Sequence, residues 1–240
     1  MLVLLVAATI AGGIAVAAGI MTWHDTPAAR LSQVRQAKGV ENLLVTWGSL
    51  DELVDASPVI VRGTLISEHE EIVEIPTPGE PSVLATRTDV VREFRVDKVI
   101  SGDWTEDSIE VREAGYLWAP PPEEGFPPQE ITNPVPSASP GKDYMLFLTT
   151  ATDYNGAMVF NPQANPSMAT VTRETLTFVV TDDYVKDAQA AGLLEPGERV
   201  PPGFVGRTLQ DLQASAAGRA ERLAAKAAYD AAHPAPTTAD

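Results

Sequence analysis

Apolar residues follow three different rhythms along this chain, and each rhythm predicts a different kind of element. Leu2 to Met21 is apolar or small at every position and carries no charge. That is the length a helix needs to cross a bilayer core. A helix packed on a soluble core interleaves polar residues, so residues 1–21 read as a transmembrane helix or an uncleaved signal, with a buried hairpin helix as the alternative. Ala15-Val16-Ala17 has the A-x-A cleavage pattern, and no basic residue precedes the apolar run, which predicts a start upstream of Met1. Residues 22–48 are mixed and weakly periodic, as in a tether or short helix.

From residue 49 the rhythm shortens. Ser49-Leu50-Asp51-Glu52 has the spacing of a capping box, so a short helix is expected through Asp55, ended by Pro58. Val59 to Ile66 is rich in β-branched residues and reads as a strand, with Gly63 marking a bulge or a close backbone approach. A second strand is expected from near Val83. Within it Phe94 and Val96 alternate with Arg95 and Asp97, and the turn Ser101-Gly102-Asp103 leads to a third strand at Ile109-Glu110-Val111-Arg112. Connections this short predict antiparallel neighbours. Tyr144 to Leu148 is apolar on both faces, the pattern of a strand in the middle of a fold. Met158 to Phe160 and Thr170 to Thr181 complete about six strands, enough for a small barrel or sandwich.

A helical spacing returns at the C-terminal end. Asp182 to Gly192 reads as a short helix stopped by Gly192, and Thr208 opens a longer one whose stripe is Leu209, Leu212, Ala216, Leu223 and Ala227. The organisation expected is therefore a mainly β domain at 49–182, a helical segment at 183–232 and a frayed tail at 233–240. Residues 119–140 form a proline-rich insertion, because Pro120, Pro121, Pro122, Pro127, Pro128, Pro134, Pro136 and Pro140 exclude regular helix or central strand.

The strand motifs resemble those of a loosely defined set of bacterial exported domains with an OB-like barrel similar to that of the tissue inhibitors of metalloproteinases. The pieces that carry the resemblance are a helix end and V-x-V-x-G-x-L strand at Ala56 to Leu65, an F-x-V-x-K-V-x-x-G segment at Phe94 to Gly102, and the turn and apolar strand from Pro140 to Leu148. The resemblance implies an OB-like fold. It transfers no functional residue, because those inhibitors act through an N-terminal cysteine and this chain has none.

Charge narrows the function. Thirty-three acidic against 17 basic side chains leave a net charge of −16, so nucleic acid is excluded as an expected partner, since its binding rests on clustered Lys and Arg. No thiol nucleophile or thiolate metal site exists without cysteine. The run Glu68-His69-Glu70-Glu71 lacks the second histidine of a zinc-hydrolase helix and reads as a solvated face near a turn. Ser139-Pro140-Gly141-Lys142 matches S-x-x-K, but Pro-Gly breaks the helical turn that this dyad needs, so a β-turn is expected. No catalytic residue, metal site or cofactor is expected. Tyr116, Trp118 and Phe126 flank or enter the proline-rich insertion. They either bind a partner or pin the loop to the barrel.

These observations lead to a membrane-anchored domain, expected on the extracytoplasmic side of the cell membrane, that binds a protein or cell-envelope component and not nucleic acid. Arg30, Arg35 and Lys38, just after the apolar segment, argue for the opposite orientation by the positive-inside bias, but long folded domains translocate regardless of nearby charge. An envelope hydrolase with an unrecognised carboxylate site and a purely structural envelope protein are the alternatives.

Overall fold

Long strands dominate the computed structural model, which describes residues 48–77, 80–119, 129–132, 135–150, 158–160 and 167–233. The apolar segment Leu2 to Met21, nearly all of the tether, Phe126 and the tail beyond His233 lie outside the described residues. Among the described residues no helix is long and apolar enough to cross a membrane.

The elements in chain order are α1 (Leu50–Ala56), β1 (Val59–Thr77), β2 (Glu80–Ser101), β3 (Ser108–Ala119), β4 (Gln129–Thr132), β5 (Asp143–Thr150), β6 (Met158–Phe160), β7 (Met168–Thr172), β8 (Thr175–Phe178), α2 (Asp182–Ala190) and α3 (Leu209–Ala232). The protein is mainly β. The strands form one sheet in the order β1-β2-β3-β6-β5-β7-β8, with β4 on β3 and β1 also paired to β5. All pairings are antiparallel except β3 with β6.

Among the described residues eight strands replace the six expected, for two reasons. The stretch Thr170 to Thr181 breaks at Arg173-Glu174, where both residues take a positive φ (48° and 70°) and make a two-residue turn between β7 and β8. Neither residue is the Gly or Asn that normally announces such a turn. In addition, part of the proline-rich insertion, Gln129–Thr132, pairs with the end of β3. Glu68 to Glu71 lie in the middle of β1, paired with Arg92 to Asp89 of β2, and not near a turn as expected, while Glu68, His69 and Glu70 are exposed as expected of a solvated face.

Alternation along β1 and β5 divides the core in two. Ile60, Met145 and Phe147 face α1 and α3, where they join Leu50, Leu53, Phe178, Phe204, Leu209 and Leu212. Val61, Leu65, Tyr144, Leu146 and Leu148 face the other way, onto Phe94, Ile109 and Val111. This is why Tyr144 to Leu148 is apolar throughout: both faces of β5 are buried. Phe94 meets Tyr144 edge to face at 6.0 Å, and Phe178 meets Phe204 at 4.8 Å. Gly63 fits its expected role, because a Cβ there would sit 2.7 Å from the Arg95 carbonyl oxygen at a register shift between β1 and β2.

Side-chain caps start each of the described helices. The Ser49 hydroxyl accepts from the Glu52 amide at 3.3 Å, Thr181 accepts from the Tyr184 amide, and Thr208 with Asp211 forms a capping box. Only the first turns of α3 are buried, through Leu209, Leu212 and Ser215; the stripe continues into solvent at Leu223.

Candidate binding face and ion clusters

The outer half of the β1–β2 hairpin runs past the core as a wing, and its register fixes which side chains share a face. Residues directly opposite one another across antiparallel strands point to the same side of the sheet. Phe94 and Ile109 face the core as a cross-strand pair; moving outward by two residues along β2, successive rows bring Glu68 with Arg92 and Val111, then Glu70 with Val90 and Glu113.

A bulge then changes the sequence-to-face relation on β3. Asp89 pairs Ala114 while Thr88 pairs Tyr116, so Gly115 is the extra residue. Without it, Tyr116 and Trp118 would fall on the opposite face from Glu113. With it, the next rows are Ile72, Thr88 and Tyr116, then Glu74, Thr86 and Trp118. Tyr116 and Trp118 are half-buried on β3, whereas Ile72 is 72% exposed and Leu84, one row further out, is 41% exposed. The two aromatic residues singled out from the sequence thus share one side with two exposed aliphatic residues. Phe126, the third, is outside the described residues.

Between the core and this face sits an ion cluster in which Arg92 and Glu113 are buried and Glu68 is exposed. The Arg92 guanidinium donates through Nε to Glu68 Oε2 at 2.6 Å, through one terminal nitrogen to Glu113 Oε2, and through the other to the Pro136 carbonyl oxygen at 2.6 Å. Burial pushes the Glu113 carboxyl up to about 7; Arg92 opposes that rise and Glu68 adds to it. Pro136 is itself buried, so the end of the proline-rich insertion is fastened over the cluster. A signal for this was present: Arg92 and Glu113 stand at inward positions, in phase with Phe94 and with Ile109 and Val111. Charge at an inward position of an alternating strand asks for a buried partner.

The other face of the wing carries His69, paired opposite Val91 and exposed. There Arg87 clasps the buried Asp89 at 2.6 and 3.0 Å, and Arg112 joins Glu71 and Glu110. Ser139 and Lys142 form the expected turn, closed by the Lys142 amide on the Ser139 carbonyl oxygen at 3.3 Å.

A second cluster joins α1 to α3 and lines a pocket of about 320 Å³ that also includes Ser49 and Arg207. Arg222 donates to both Asp55 oxygens at 2.6 to 3.0 Å, and the Ser215 hydroxyl donates to Asp51. The hydroxyl and amide of Thr208 both donate to Asp211, each at 2.8 Å, and hold its carboxyl below the usual carboxylate range. The carboxylates gathered here are therefore engaged in capping and stapling. Among the described residues no group of three His, Cys, Asp or Glu side chains is arranged to hold a metal ion.

No protein-family model matches the chain, and no curated protein matches its sequence.

Proposed function

We propose that this chain is a binding domain, held at the cell membrane by Leu2 to Met21 on the extracytoplasmic side, that captures a protein or cell-envelope component on the wing face bearing Tyr116 and Trp118. The observation that carries this reading is the bulge at Gly115, which aligns both aromatic residues with the exposed Ile72 and Leu84. Half-buried aromatic residues beside exposed aliphatic ones are the composition of an interface core. Engagement of the pocket carboxylates, Asp51 by Ser215 and Arg222 and Asp211 by Thr208, favours binding over the hydrolase alternative. The OB-like barrel is part of the same proposal. It is supported by the β1-β2-β3 meander, the parallel β3–β6 pairing and the β1–β5 pairing, which run as a circuit through β6 and β5.

The test is a photo-crosslinking residue placed at Tyr116, at Trp118 or, as a control, at the exposed Val205 outside the wing. Illumination of intact native cells is expected to give one discrete adduct from the first two positions and none from the third. The same adduct from Val205, or none from any position, overturns the reading. Protease added outside those cells is expected to cut the domain; protection until lysis overturns the extracytoplasmic assignment.

A further inference from the structure

The wing face is divided by charge as well as by polarity. Of the acidic residues along β1, Glu68 is neutralised by Arg92 and Glu71, on the other face, by Arg112. Glu70 and Glu74 have no ion pair among the described residues. Both are exposed, and both lie on the face of Tyr116 and Trp118, with the 72%-exposed Ile72 between them. Residues two apart on a strand are separated by roughly 7 Å, and β1 lies about 10 Å from β3 across β2. The face therefore presents an acidic strip with an apolar centre, then the uncharged strip Thr86, Thr88 and Val90, then an aromatic strip.

Complementarity selects the occupant. An anionic bilayer surface and a nucleic acid are both repelled by Glu70 and Glu74 on a chain whose net charge is −16. A purely apolar segment would bury Ile72 but leave two carboxylates without partners, which is costly at the edge of a desolvated patch. We propose that the occupant is a basic polypeptide segment in which Lys or Arg residues flank an apolar residue at alternate positions. This rests on the binding reading above. The apolar residue covers Ile72, the flanking cations meet Glu70 and Glu74, and an Arg reaching across β2 stacks on Tyr116 or Trp118.

The experiment uses the full chain in non-ionic detergent and two labelled peptides, Lys-Ser-Leu-Ser-Lys and Glu-Ser-Leu-Ser-Glu, each repeated twice. The lysine peptide is expected to bind, to weaken as salt is raised, and to weaken about fivefold or more in Glu70→Gln/Glu74→Gln. Ile72→Ser/Trp118→Ala is expected to weaken it at least as much. Asp103→Asn/Glu106→Gln removes the same charge from the loop between β2 and β3, and is expected to leave binding unchanged. Equal weakening by that control variant, equal binding of the glutamate peptide, or self-association of the chain that the wing variants abolish each overturns the proposal. If the lysine peptide does not bind while Tyr116 and Trp118 still crosslink in cells, the basic-segment assignment falls and the binding face stands. If both fail, both readings fall together.

Discussion

Arg92 and Arg222 have similar partners and different surroundings. Each guanidinium engages two carboxylates and one backbone carbonyl: Arg92 takes Glu68, Glu113 and Pro136, and Arg222 takes Asp55, Asp51 and Ser215. The Arg92 side chain is 3% exposed and that of Arg222 is 30% exposed. Water solvates whatever the second cluster leaves unpaired, whereas in the first only Glu68 reaches water and the buried Arg92 and Glu113 must satisfy each other inside. Similar hydrogen bonds therefore act as a conditional staple between α1 and α3, and as an essential part of the interior between the core and the wing.

The largest loss of stability is expected at Arg92. At about pH 8, where Glu113 is ionised, Arg92→Ala leaves its carboxylate buried without a cation and frees the Pro136 segment, and is expected to cost about 3–5 kcal/mol in urea unfolding. A loss no greater than that of Arg222→Ala would erase the distinction between the clusters.

Glu113 makes the buried cluster sensitive to pH. Its carboxyl rises from an ordinary 4.5 to about 7 in the fold. Between those values the folded protein holds a proton that the unfolded chain has released. The group's contribution is therefore fully present below about pH 4.5 and is lost as pH rises through about 7, by on the order of 1–3 kcal/mol. Glu113→Gln keeps a neutral side chain at all pH values, so it is expected to gain on the native protein as pH rises. Urea melts at about pH 5 and about pH 8 measure this; an equal difference at both values would show that Glu113 does not titrate in that window.

The smallest effect is at the exposed staple. Arg222→Ala is expected to cost on the order of 1 kcal/mol, and less at high salt, because its partners return to water. A cost that does not change between low and high salt in the same melts would mean that this cluster is not screened as an exposed one should be.

Local chemistry made several elements legible in advance. Ser49 and Thr208 cap the helices they were expected to open, Gly192 follows α2 with a positive φ, and Phe94, Val96, Ile109 and Val111 mark strands by alternation. The length of β1 was not legible. Glu68 to Glu70 are exposed as a charged run taken alone suggests, yet they lie within β1, because the pairing that extends the strand comes from Val90 to Arg92 of β2, distant in sequence. The turn at Arg173-Glu174 was hidden because neither residue favours a positive φ; closure of β7 on β8 and the Leu209 amide on the Glu174 carbonyl oxygen hold it there.

The mainly β class, the starts of the described helices and the acidic charge follow from the sequence, because each depends on side-chain type and short-range spacing. Only the tertiary structure decided which side of the sheet Tyr116 and Trp118 occupy. One inserted residue, Gly115, reverses the face of every side chain after it, and that bulge exists only in the pairing of β3 with β2. The burial of Arg92 was decided in the same way, by bringing Glu68, Glu113 and Pro136 from three other segments around one guanidinium.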